Sequence, residues 1–189
     1  MNIQRLKAMK RIKEEYKNSN GNPVSDIGST FGLYDENNIF EWRVSLLGPK
    51  DSSYKGGLFY MNIKFPVNYP EIPPEICFEN PIYHINVNPF KPNKDGDESL
   101  GHVSLNILKY WKPEYTIKEV LTHLFVCLTR PNPDCSDTYG LEKANEFRNN
   151  RRLYEEKARY FTKKYANPTR VKSYLDIDSD WDFSCDIKI

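Results

Sequence analysis

Four cysteines, Cys77, Cys127, Cys135 and Cys185, supply the chain's thiols, and one serine, Ser104, has a histidine, His102, two places before it. A thiolate can serve as nucleophile or metal ligand, and spacing decides which chemistry is open. No Cys-x-x-Cys pair occurs, so the pattern argues against a zinc site, and neither metal nor cofactor is expected. Cys77 (Ile76-Cys77-Phe78) and Cys127 (Phe125-Val126-Cys127-Leu128) have apolar neighbours and are expected as buried, reduced thiols. His102 and Ser104 would share a side on an extended segment. No Gly-x-Ser-x-Gly elbow surrounds the serine and no third orienting group is identifiable, so a serine hydrolase is not indicated. His84, two residues before Asn86, reads as a packing or hydrogen-bonding histidine, not a ligand.

The 189 residues leave space for one domain, and 10 Phe with 13 Tyr provide enough bulky side chain for a packed core. With 27 Lys plus Arg against 26 Asp plus Glu, the net charge of +1 excludes whole-protein binding to a polyanion. The basic stretch around Arg148, Arg151 and Arg152 is local, and no nucleic-acid partner is expected. No long apolar run occurs, and the first residues, Met1 to Lys7, lack the apolar stretch of a secretory signal. The expectation is a soluble protein of the cytoplasm or nucleus, with no membrane partner.

The elements that must position these groups follow from periodicity. Ile3, Leu6, Met9, Ile12 and Tyr16 recur at helical spacing over 3–16, leaving Arg5, Lys7, Lys10, Arg11, Lys13, Glu14, Glu15 and Lys17 on the solvated face. Phe40, Trp42, Val44 and Leu46 alternate with polar residues, as do Phe59, Met61, Ile63 and Phe65; both read as half-buried strands. Residues 29–34 and Glu75–Phe78 add a strand on either side, and Pro66, Pro70, Pro73 and Pro74 forbid regular helix between. From Pro81 to Trp111 there is little periodicity, and residues 89–99 have the composition of an exposed loop. Thr116-Ile117-Lys118-Glu119 is a capping box opening a central helix, stopped at Pro131. Helices over 140–149 and 151–166 follow. The order predicts an α+β domain with a four-stranded antiparallel meander, an N-terminal helix, a central helix and C-terminal helices. Residues 1–168 form this core. Residues 169–189 form an acidic tail, expected to be flexible, with a docking motif on Trp181 and Phe183 as the sharper reading.

Several separated motifs resemble the ubiquitin-conjugating enzyme family, in order along residues 3–168. Ala8 to Ile12 resembles its first helix, Ile39 to Trp42 with Leu47 to Phe59 its first hairpin, and Phe65 to Pro74 its proline-rich turn. Ile82-Tyr83-His84-Ile85-Asn86 resembles the His-Pro-Asn motif, Gly101 to Leu108 the segment of the catalytic cysteine, and Trp111-Lys112-Pro113 and Pro131 to Asp134 the family's later turns. The resemblance implies the ubiquitin-conjugating fold and a thioester carrier that receives ubiquitin, or a ubiquitin-like protein, from an activating enzyme and passes it to an amine with a ubiquitin ligase. It implies that Asn86 steadies the oxyanion or the loop around it, and that Lys10 and Arg11 face activating enzyme and ligase. Glu71, Ile72, Lys112, Pro113 and Glu114 fall on its two ligase-facing loops.

The position matching the cysteine is Ser104, and no cysteine lies between Cys77 and Cys127. A hydroxyl needs an adjacent base to attack, and its ester aminolyses far more slowly than a thioester. The motif's proline is Ile85, the family's acidic loop residue falls on Cys135, a loop thiol or displaced nucleophile, and an exposed aromatic of the ligase surface falls on Glu71. These departures together favour a natural non-catalytic variant, a scaffold pairing with an active conjugating enzyme, a ligase or ubiquitin itself. The alternative is an active transferase whose cysteine was changed to serine.

Overall fold

The computed structural model describes residues 3–20, 28–88, 101–135 and 140–168. The acidic tail and the loop at 89–99 lie outside the described residues. Helix α1 (Ile3–Asn20) leads into strands β1 (Ser29–Leu33), β2 (Glu41–Leu47), β3 (Leu58–Lys64) and β4 (Glu75–Phe78), which form one antiparallel meander in that order. A single turn α2 (Asn106–Lys109), central helix α3 (Ile117–Thr129), a 3₁₀ turn (Pro133–Cys135) and helices α4 (Leu141–Asn149) and α5 (Arg151–Tyr165) follow.

The two middle strands carry the alternation seen in the sequence: Trp42, Val44, Leu46, Phe59, Met61 and Ile63 are fully buried on one face. Tyr16, Phe31 and Phe65 meet Trp42 edge-on at ring centroid distances of 5.3, 6.2 and 4.8 Å, fastening α1 and β1 to the sheet. Helix α1 buries part of its expected face, with Ile12 buried and Met9 and Tyr16 half-buried. Ile3 and Leu6 are exposed, whereas Ala8, Ile12 and Glu15 are buried. Helix α3 opens on the expected capping box, Thr116 Oγ1 accepting from the Glu119 N–H (3.3 Å) and Glu119 Oε2 from the Thr116 N–H (2.8 Å). Its buried face is Ile117, Val120, Leu121, Leu124, Cys127 and Leu128.

The chain returns to the sheet after α1–β4 in a way the sequence did not suggest. Residues 101–104 run between β4 and residues 86–88. Phe78 N–H bonds the Gly101 carbonyl and Val103 N–H the Ile76 carbonyl, both at 2.9 Å. On the other side Asn88 N–H bonds the His102 carbonyl (3.0 Å) and Ser104 N–H the Asn86 carbonyl (2.8 Å). The backbone thus fixes Ser104 beside Asn86 before any side chain acts.

The β2–β3 connection is held at Gly48, whose N–H bonds the Gly57 carbonyl at 2.8 Å. A Cβ there would fall 1.8 Å from the Tyr54 carbonyl oxygen. Backbone on both sides leaves no rotamer to absorb it, so Gly48→Ala should lower stability by about 3 kcal/mol in urea unfolding. A midpoint unchanged from the parent chain would show that the hairpin yields freely. No helix among the described residues is long and apolar enough to cross a membrane.

Candidate functional site

Residues 81–88 carry no regular structure yet all eight are buried. Such backbone must find partners elsewhere. Tyr54 donates its hydroxyl to the Tyr83 carbonyl (2.8 Å), so the Tyr54–Tyr154 contact (3.3 Å) is a donation from Tyr154. Tyr154 in turn accepts from the Ile85 N–H at 3.3 Å. Lys143, on α4, sends its ammonium to the carbonyls of His84 (3.0 Å) and Val87 (2.9 Å) and sits 5.5 Å from the centre of the Tyr83 ring. Burial lowers Lys143 to about 8, with the charge of Glu142 opposing the shift. In the sequence Lys143 stands ahead of the basic stretch around Arg148, Arg151 and Arg152. Nothing in the local pattern marks it as buried.

His84 is a structural residue, as expected. Its Nδ1 accepts from the Asn86 N–H (3.0 Å), which leaves the proton on Nε2 to donate to the Cys127 carbonyl (3.2 Å). Burial pushes the imidazole down to about 3; the Cys127 carbonyl opposes this and the Lys143 charge adds to it. The ring is neutral in the native protein.

Asn86 is 1% exposed, and its amide is spent on neighbours. Nδ2 donates to the Asn132 carbonyl (3.1 Å), while Oδ1 accepts from the Cys127 thiol (3.3 Å) and the Asn132 N–H (3.4 Å). These bonds clamp the turn at Pro131–Asp134 against residues 84–88. Cys135 ends the 3₁₀ turn that follows Asn132. Cys127 is buried, but Cys77 is only half-buried, a correction to the expected pair: it lies on the solvent face of β4, where burial raises its thiol above the ordinary range.

Ser104 and Asn86 line one cleft of about 200 Å³, together with Asn106, His123, Cys127 and Asn132. Ser104 is half-buried there and His123 is exposed. The cleft is thus lined by a serine and by a thiol committed to the Asn86 amide. Among the described residues no three His, Cys, Asp or Glu side chains gather as metal ligands.

A second surface is assembled by aromatic residues. Trp111 donates its indole N–H to the Pro70 carbonyl at 2.6 Å, and its ring stands 6.0 Å from Tyr69 and 5.8 Å from Tyr115. This joins the turn bearing Glu71 and Ile72 to the loop bearing Lys112, Pro113 and Glu114. Glu71, Ile72, Lys112 and Glu114 are exposed and Pro113 is half-buried. Lys10 is exposed on α1, but Arg11 turns inward, with Nε 2.6 Å from Glu15 Oε1 and Nη2 2.9 Å from the Tyr115 carbonyl. Glu15, expected on the solvated face, is buried; it also accepts from the Tyr69 hydroxyl (2.5 Å) and the Ile117 N–H (2.7 Å). One carboxylate therefore ties α1, the proline-rich turn and the start of α3 together.

Comparison with known proteins agrees with this architecture. The family model described as Ubiquitin-conjugating enzyme matches residues 11–162, a span that includes the sheet, the cleft and the aromatic-braced surface. Probable ubiquitin-conjugating enzyme E2 31 of Arabidopsis thaliana is 38% identical over 163 residues, which cover 85% of this chain and 95% of that protein. Sheet order, helix placement and sequence agreement along nearly the whole described chain lead to one conclusion: the chain belongs to the ubiquitin-conjugating enzyme family.

Proposed function

We propose that this chain is a non-catalytic member of the family that acts as a binding scaffold in ubiquitin or ubiquitin-like conjugation, with Ser104 at the position of the thioester-forming cysteine. Membership implies ubiquitin, an activating enzyme and a ligase as general partners. The reading rests on one observation: the residue that lines the cleft beside Asn86 is a serine, Ser104, its N–H bonded to the Asn86 carbonyl at 2.8 Å. A hydroxyl is both a poorer nucleophile and a poorer leaving group than a thiolate near neutral pH. The surface at Glu71, Ile72, Lys112, Pro113 and Glu114, with Lys10 beside it on α1, supports a role in which partners are still bound. On this reading Arg11 acts from behind, through Glu15 and Tyr115, and Glu71 disfavours acidic ligases.

The test is a charging reaction with activating enzyme, ATP and ubiquitin. The expected product is the unmodified chain, while binding to a ligase or an active conjugating enzyme persists and weakens in Ile72→Ala and Lys112→Glu. A reductant-sensitive adduct removed by Cys127→Ser or Cys135→Ser would make the chain a carrier through a different thiol. A reductant-resistant, alkali-labile adduct removed by Ser104→Ala would make it an ester carrier. Either result overturns the scaffold reading.

A further inference from the structure

β1 is the outer strand of the sheet, and among the described residues no strand lies along its far side. The register shows which backbone groups are left over. Tyr34 N–H bonds the Glu41 carbonyl (3.1 Å) and Leu47 N–H the Gly28 carbonyl (3.2 Å). With Ser29 opposite Leu46 and Leu33 opposite Trp42, the even residues of β1 face β2, and Ser29, Phe31 and Leu33 direct N–H and C=O outward. Their side chains turn to the core face, where Phe31 and Leu33 remain half-exposed. An open edge above a half-covered apolar side is what an added strand completes.

The chain contains a segment of matching chemistry. In residues 175–183, outside the described residues, Leu175, Ile177, Trp181 and Phe183 take odd positions and Asp176, Asp178, Asp180 and Asp182 even ones, with Ser179 the one polar odd residue. This is the period of a strand with one apolar and one charged face. Aspartates on the solvent side would also discourage any further strand from adding to the new edge.

The exit point of the core places that segment within reach. Leu58 N–H donates to the Ala166 carbonyl (2.7 Å), and Leu58, Leu47 and Gly28 stand in one row across the sheet. The chain therefore leaves the described core at the end of the sheet where β1 begins. Ala166 lies on the side of β3 away from β2, so four strand spacings, about 19 Å, separate it from the outer side of β1. Residues 167–174 span up to about 26 Å when extended.

We propose that residues 175–183 dock along β1 of the same chain as a fifth strand, running parallel to it. The apolar residues cover Phe31 and Leu33, and the aspartates face solvent. This docking does not depend on whether Ser104 is catalytic.

Amide hydrogen exchange on the full chain tests it, against a variant carrying Asp178→Pro and Asp182→Pro, which removes two of the even-residue N–H groups that the added parallel strand donates to β1. The amides of Ser29, Phe31 and Leu33 should exchange at least about tenfold more slowly in the parent chain, with β2 and β3 amides equal in the two proteins. Equal exchange of the β1 amides in parent and variant overturns the proposal. So does β1 protection that rises with protein concentration, which would assign the added strand to a second copy.

Discussion

Glu15→Ala should cost about 3–5 kcal/mol of unfolding free energy, the range for leaving one member of a buried charged cluster without its partner. The carboxylate is 7% exposed and accepts from Arg11, Tyr69 and the Ile117 N–H. Its loss leaves a guanidinium, a hydroxyl and the first N–H of α3 to be resolvated inside the junction. Glu15→Gln keeps an acceptor for Tyr69 while losing the charge that Arg11 meets, so it should fall between alanine and the parent. Arg11→Met combined with Glu15→Ala should cost less than the sum of the two single changes, because both remove the same pair. Urea unfolding of the four proteins checks this. A loss under about 1 kcal/mol in Glu15→Ala would mean that water reaches the site and that the cluster is no structural centre. Exchange of amides at Glu71, Ile72 and Lys112 should quicken in the same variant, since Tyr69 and Tyr115 position those loops.

Acid should destabilise the protein earlier than carboxylate titration alone would. Unfolded His84 takes up a proton near 6.5, whereas the buried native ring resists until about 3. Across that window the unfolded state binds the extra proton, so stability falls as pH falls, by about 1.4 kcal/mol per pH unit while this group dominates. The full contribution is present above 6.5. His84→Asn, which can still accept from the Asn86 N–H, should flatten the slope between about pH 6.5 and 5, where few carboxylates interfere. Identical slopes in the parent and His84→Asn would show that the ring is protonated in the folded protein. Lys143 acts on the alkaline side: its native form releases a proton near 8 and its unfolded form near 10.5, so between those values stability rises with pH.

The sheet was legible because β2 and β3 each face core on one side and solvent on the other, which prints a period of two on the chain. The central helix was legible for a similar reason, with Thr116 and Glu119 marking its start. The face of helix α1 was read correctly at Met9, Ile12 and Tyr16 and wrongly at its start, because Ile3 and Leu6 match the helical period yet stay exposed. Glu15 was misread because the groups that bury it stand 54 and 102 residues away, at Tyr69 and Ile117. Residues 81–88 gave no period because all are buried, and a stretch buried on every side shows no alternation. The pairing of Asn86 with Ser104 came from the resemblance alone. What the resemblance did not show is that the Asn86 amide is already engaged by Asn132 and Cys127, or that Lys143 holds the backbone on either side of it.

The hydroxyl in the cleft has a consequence for oxidative stress. A thiolate exposed to peroxide passes to sulfenic and then sulfinic acid, and a protein that depends on it falls silent until it is repaired. Ser104 has no such chemistry, and the neighbouring Cys127 is buried with its S–H given to Asn86. Peroxide at concentrations that oxidise an exposed thiolate should therefore leave Ser104 chemically unaltered.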